Sequence, residues 1–255
     1  MIDVNVNLSR WPFRRLPHDE TPRLMEKLRA SGVTEAWAGS FDGLLHQDVA
    51  GVNARLTAEC RASGGLLRPV GTIHPLLPDW EDDVRRCAEV HGMHAIRLSP
   101  SYHGYRLSDP VCDALLDRAD EHKLIVQMVL KMEDVRTHHP LMKVPTVDVA
   151  PLAALVRRHT QTRLVVLNGS GTVTPAAAAN LTTLGQVYFD ISHAEQVGAL
   201  EQLVKVVPYE RLLFGSHFPF FSLESALLKF RESELGEMVT TAIQSGNAKR
   251  LQGKV

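Results

Sequence analysis

The sequence is short of several things, and each shortage excludes a class. Cysteine occurs three times in 255 residues, at Cys60, Cys87 and Cys112, with no CxxC spacing, which argues against a disulfide scaffold or a thiolate metal site. All three fall in stretches with helical periodicity and are expected to be reduced, structural thiols. No apolar run approaches the ~20 residues of a membrane span, and the chain opens on a strand pattern without a signal peptide's basic and apolar segments. A cytoplasmic, bacterial-type protein without membrane contact is therefore expected. Neither sign of charge dominates: 28 Lys and Arg stand against 29 Asp and Glu, a formal net charge of -1, so there is no basic footprint for nucleic acid and no acidic tail. A dinucleotide-binding glycine fingerprint is missing from the first strand-to-helix turn, where Leu8-Ser9-Arg10-Trp11-Pro12 stands instead. Internal repeats are absent, and the Ala run at 176–179 is simply good helix former.

What is present is a ladder. Ile2, Val4, Val6 and Leu8 alternate with Asp3, Asn5 and Asn7, the period-2 pattern of a strand with two different faces. The expectation is that the apolar face meets helices while the polar face points into a barrel. Strands are then expected near 34–40, 66–74, 93–99, 124–130, 163–168, 187–191 and 212–216. Helical runs fall between them at about 20–31, 46–62, 79–91, from 109, 147–159, from 174, up to 207, 222–230 and 234–245, with a tail from Gly246-Asn247. Asp109-Pro110 is the pair suited to N-cap and first helical position. Eight strand–helix units in this length predict one α/β domain over 1–255, a (β/α)8 TIM barrel, with an open doubly wound sheet as runner-up.

Chemistry in such barrels sits at the carboxyl ends of the strands. Those ends carry Asn5 and Asn7, Ser40, His74, Arg97 and Ser99, Gln127, Asn168, Asp190 and Ser192, and His217. Arg97 is the hardest to dismiss. In Ala95-Ile96-Arg97-Leu98-Ser99, an outward Ile96 and Leu98 turn Arg97 inward, and an inward guanidinium is expected to find an anion, because an unpaired buried charge costs several kcal/mol. The loop after the fifth strand, Lys131 to Pro140, gathers Glu133, Asp134, Arg136, His138 and His139 above the barrel mouth, a composition suited to a lid or binding surface. Trp11-Pro12-Phe13-Arg14-Arg15 adds an aromatic and basic loop at the end of the first strand.

With those residues in place the chain resembles the amidohydrolase superfamily, specifically the amidohydrolase-related group of TIM-barrel metal-dependent hydrolases that also includes decarboxylases. The resemblance rests on three stretches. Ile2-Asp3-x-Asn5-x-Asn7 stands at the place of the family's Asp-x-His-x-His, and Gly215-Ser216-His217-Phe218-Pro219 at the place of its Gly-Ser-Asp-x-Pro. Gly246-Asn247-Ala248-Lys249-Arg250-Leu251 closes the match. The resemblance implies a divalent metal, commonly zinc, activating a water beside an eighth-strand Asp. The ligand positions depart from it: Asn5 and Asn7 replace two His, Gln127 or Val129 the fifth-strand His, Asn168 the sixth-strand His, and His217 the Asp. Amide oxygens are weak zinc donors, so neither a metal nor another cofactor is expected.

Three functions remain open at this stage. The first is a metal-free hydrolase or lyase for a small anionic substrate, with His217 as general acid or base. In it Asn5, Asn7, Asn168 and Gln127 would hydrogen-bond substrate oxygens, and Arg97 or Arg136 would hold a carboxylate with help from Arg14, His138 and His139. The second is a catalytically silent barrel that binds a ligand or protein partner. The third keeps a metal on Asn, Gln and His ligands. A small-molecule anion is the expected partner, and homo-oligomers are compatible with each.

Overall fold

The computed structural model describes residues 1–253; the last two residues of the expected domain span lie outside the described residues. Among the described residues nine short parallel strands carry the pairing. The first three, β1 (Ile2–Leu8), β2 (Glu35–Ser40) and β3 (Leu67–Pro69), form one ladder; β4 (Gly71–Thr72), β5 (Ala95–Leu98), β6 (Ile125–Val129), β7 (Leu164–Leu167), β8 (Val187–Asp190) and β9 (Leu212–Leu213) form another. Strands β3 and β4 are two halves of the strand expected at 66–74. Pro69 has no N–H to donate, so the ladder lapses there, while Val70 still donates to the Ala38 carbonyl (2.9 Å). The cylinder closes where Val4 N–H donates to Phe214 O (2.9 Å) and Asn7 N–H to Phe218 O (3.0 Å). The architecture is the (β/α)8 TIM barrel.

The helices follow in order: α1 (Thr21–Ala30), α2 (Val49–Arg61), α3 (Trp80–Glu89), α4 (Pro100–His103), α5 (Pro110–Glu121), α6 (Leu152–Arg158), α7 (Pro175–Leu184), α8 (Ala199–Val204), α9 (Leu223–Arg231), α10 (Glu237–Thr241) and α11 (Asn247–Leu251). Several differ from the sequence expectation. Helix α6 starts five residues late, because Pro145 and Pro151 and the Asp148 carboxylate that accepts from Ala150 N–H hold the segment before it in turns. The Asp109 carboxylate accepts from Arg106 N–H (2.8 Å) rather than from the helix it precedes. The expected tail is helix α11, anchored because the Asn247 amide donates to the Tyr209 and Leu212 carbonyls, each at 2.7 Å, beneath β9.

Alternation sorts the strands into two apolar layers. Ile96 and Leu98, Val126 and Met128, and Val166 pack outward with Leu115, Leu116 and Leu155 of the helices. Ala95, Ile125, Val129, Val165 and Leu213 form the inner layer. Strand β1 departs from the simple pattern. Its register with β2 shifts between Asp3 and Val6, so Ile2 and Val4 join the inner layer while Val6 and Leu8 pack outward with Leu24 and Leu28. The three cysteines are free and buried, and the Cys60 and Cys87 thiols are pushed up to about 12 by burial.

Candidate functional site

The strand ends bring eight of the expected residues into two buried polar groups, Asn5, Asn168, Asp190, Ser192 and His217 in one and Asn7, Arg97 and Gln127 in the other. Asn5 donates its amide N–H bonds to Asn168 Oδ1 (2.8 Å) and Asp190 Oδ2 (2.7 Å). Only the NH2 end of an amide can face a carboxylate, so Asp190 fixes the orientation of Asn5. Asn168, at the end of β7, sits in the left-handed region (φ 57°). Its own N–H donates to Asp190 Oδ1 (2.8 Å), its amide donates to the Lys131 carbonyl (2.6 Å), and its Oδ1 also accepts from the Ser192 hydroxyl (2.8 Å). Asp3 lies deeper, accepting from the Ser216 hydroxyl (2.5 Å) and from the N–H groups of Ser216 and Asn5. Burial pushes its carboxyl up to about 7, against the pull of those donors, and pushes that of Asp190 up as well.

Arg97 is inward, as the alternation requires, but its guanidinium meets neutral oxygens rather than an anion. Nε donates to Gln127 Oε1 (2.8 Å), Nη1 to Asn7 Oδ1 (2.8 Å) and the Val6 carbonyl (3.1 Å), and Nη2 weakly to the Trp37 carbonyl (3.4 Å). Gln127 in turn donates to the Val4 carbonyl (2.8 Å). Because four oxygens share the guanidinium, no contacting carboxylate is needed; Asp190 and Asp3 act on it through space.

His217 is fully buried, also at a left-handed φ of 58°. Its Nε2 lies 2.6 Å from the Met132 carbonyl. A carbonyl only accepts, so Nε2 carries a proton, and the Asn168 amide NH2 faces Nδ1 (3.5 Å), so the ring is the neutral tautomer. Burial lowers its pKa to about 4, and the ring lies parallel to Phe220, centroids 5.1 Å apart.

The remaining predicted residues lie apart from this network. Arg14 reaches Glu133 (2.5 Å) and covers the Phe220 ring, and His139 stacks on Phe13 (5.4 Å); both tie the loop after β1 to the loop after β6. Arg136 bonds Asp134 two residues away and its side chain is 85% exposed, a solvated pair. His138 lines a narrow recess with Ser99, Tyr102 and Glu133.

A residue absent from the sequence expectation stands at the rim of the barrel, beside the strand ends. A cavity of about 440 Å³ lies between the loops after β7 and β8, with Lys131, Ser170, Val173, Phe189, His193 and Leu203 on its wall. The buried His193 Nε2 has no hydrogen-bond partner, and the ring lies 5.7 Å from that of His217. Burial, with His217, Lys131 and Lys229 nearby, lowers its pKa to about 2. The signal was there in Ser192-His193, one residue beyond the inward positions counted at that strand.

At the positions where the resemblance puts metal ligands, the polar groups are engaged with the protein itself. Asn5 turns its NH2 to Asp190, Asn7 and Gln127 give their oxygens to a guanidinium, and the His217 Nε2 carries its proton against Met132. Among the described residues no group of three or more His, Cys, Asp or Glu side chains could hold a metal.

Comparison with known proteins agrees with the fold. The amidohydrolase family model matches residues 9–253. Among solved structures, the 5-carboxyvanillate decarboxylase of Sphingomonas paucimobilis superposes with a TM-score of 0.80 at 14% identity, covering 99% of this chain and 98% of that one. The 2,6-dihydroxybenzoate decarboxylase from Rhizobium gives 0.76 at 12% identity, covering 99% of each. The IDCase of Metarhizium anisopliae gives 0.71 at 15%, covering 99% and 97%. At such identities the likeness speaks to the fold. None of the curated protein sequences matches.

Proposed function

Since the chain belongs to the amidohydrolase family, we propose that it is a lyase for small carboxylate anions that works without a resident divalent metal. One observation carries this reading: the cavity beside Asn168 combines a cation, Lys131, an unpartnered imidazole, His193, and apolar wall residues Val173, Phe189 and Leu203. Its volume of about 440 Å³ suits a small organic acid, and its mixed lining suits a molecule with one charged end. Glu195 on its wall is exposed, so its charge is screened by solvent. The family's similar structures include decarboxylases of 5-carboxyvanillate and 2,6-dihydroxybenzoate, both aromatic carboxylates, and this supports the substrate class.

In such a reaction the bond from carbon to the carboxylate breaks, the electron pair stays on the substrate carbon, CO2 leaves, and that carbon takes a proton. The proton falls to His193 in this reading rather than to His217, whose ring nitrogens face the protein. A carboxylate at Lys131 offsets the positive charges that depress His193, so binding raises its affinity for a proton where the reaction needs one. His217 is then a positioning residue beneath it. A catalytically silent barrel is the second reading, favoured by the strand-end network, in which the polar side chains bond one another rather than the cavity.

The test uses metal-stripped protein. Benzoate is expected to raise Tm and benzamide to leave it unchanged, and Lys131→Met should weaken benzoate binding about tenfold by loss of a charge-assisted contact. Equal stabilisation by both compounds would sink the anion site. Binding of 2,6-dihydroxybenzoate without CO2 release would favour the silent barrel.

A further inference from the structure

Arg97 sits where the sequence pattern and the fold make an odd demand. A guanidinium is permanently charged and costly to bury, yet this one is held inside the barrel with only neutral oxygens in contact. Its charge does have counterparts. Asp190, at the end of β8, and Asp3, deeper on β1, are fully buried, bonded to hydroxyl, amide and main-chain donors, and both attract the guanidinium through space. Room has been made for it: a side-chain carbon at Gly39 on β2 would lie 2.6 Å from Nη1, so the neighbouring strand passes close only because that residue has none. Two of the oxygens it takes, on Asn7 and Gln127, belong to residues at or beside positions where the family pattern puts metal ligands.

We propose that Arg97 is the resident cation of this barrel, taking up the amide oxygens of Asn7 and Gln127 and balancing Asp3 and Asp190 as a divalent ion would in a metal-dependent relative. The structural part of a metal's role is thereby built into the chain. Lewis-acid activation of water is not, because a guanidinium donates hydrogen bonds and has no open coordination position. This rests on the metal-independent half of the function proposed above and not on the anion cavity, so its test reads metal content and stability rather than turnover.

The full chain, purified without added metal, is expected to carry no stoichiometric zinc, manganese or iron. Its Tm should be unmoved by chelator or by zinc or manganese added back. Arg97→Met should lower Tm by roughly 10 °C, since it strands two buried carboxylates, and Arg97→Lys by less. Asp190→Asn introduced into Arg97→Met should recover much of the loss, because it removes one of the charges left without a partner. If Arg97→Met does not fold, folding of the double variant supports the proposal, and failure of both to fold overturns it. One equivalent of bound metal with a Tm that falls on chelation would overturn it. So would an Arg97→Met protein as stable as wild type, or a double variant whose losses simply add.

Discussion

Asn5 shows how much a single side chain decides here. Its NH2 is shared between Asn168 Oδ1 and Asp190 Oδ2, and an isosteric carboxylate could donate to neither. Asn5→Asp keeps the shape while setting a further buried acid against Asp190 and leaving two acceptors unmatched. The expected cost is about 3 kcal/mol or more, read as a lower urea midpoint with unchanged slope; a midpoint within error of wild type would mean that the network is solvated. The same residues mark what the sequence could and could not reveal. That Arg97 points inward was legible, because Ile96 and Leu98 on either side fixed its face. Its partner was not, since several amide and carbonyl oxygens can together do the work of one carboxylate, and nothing in the local pattern distinguishes the two. Residue types alone offer Arg136 as a ligand contact, but Asp134, two residues away on the same loop, takes its guanidinium. His193 escaped because it falls just past the strand end, where a lone imidazole carries no periodic signal.

The loop between β6 and α6 acts as an element in its own right. Main-chain carbonyls at Lys131 and Met132 accept from Asn168 and His217, Glu133 binds Arg14 and the Thr137 hydroxyl, and Val147 N–H donates back to the Leu130 carbonyl (3.1 Å). The sequence announced a long polar loop, but a carbonyl landing on an imidazole leaves no mark in residue types. The ladder itself is legible for the opposite reason: burial on two faces makes the strands short apolar runs set between helical patterns, as in Leu164–Leu167, while Pro69 and the irregular register of β1 interrupt the regular pairing. Glu133 is the loop's main buried anchor, its side chain 4% exposed. Glu133→Gln retains the shape and loses the charge-assisted bond to Arg14, worth on the order of 1 kcal/mol, so amides in 131–147 should exchange with deuterium about fivefold faster while those of β5 to β7 stay unchanged. Uniform acceleration across the barrel would instead mean that the loop and the core open together.

Across the whole molecule, burial of titratable groups sets a stability profile with pH. His103 and His217 are lowered to about 4 and His193 to about 2, mainly by desolvation, so each favours the folded state in its neutral form. That contribution is complete above the unfolded histidine value near 6.5 and is lost as pH falls toward 4 and below. Asp3, raised to about 7, and Asp190, also raised, act in the reverse sense: folding tolerates them best protonated, and their contribution is lost as pH rises through their folded values. Between pH 6.5 and 4 the unfolded chain thus gains three imidazole protons that the fold resists, while the fold keeps the Asp3 carboxyl proton that the unfolded chain has released. These imidazoles outnumber that carboxyl, so stability is expected to fall toward acid pH, by on the order of 1.4 kcal/mol per pH unit for each proton of difference. Urea midpoints taken from pH 8 down to pH 4 should decline through that window, and His103→Gln, which removes one of the three groups and bonds none of the Asn5, Arg97 or His217 side chains, should make the decline shallower. A midpoint that rises on acidification would mean that Asp3 and Asp190 govern the titration, and that the buried imidazoles are better solvated than their closed surroundings imply.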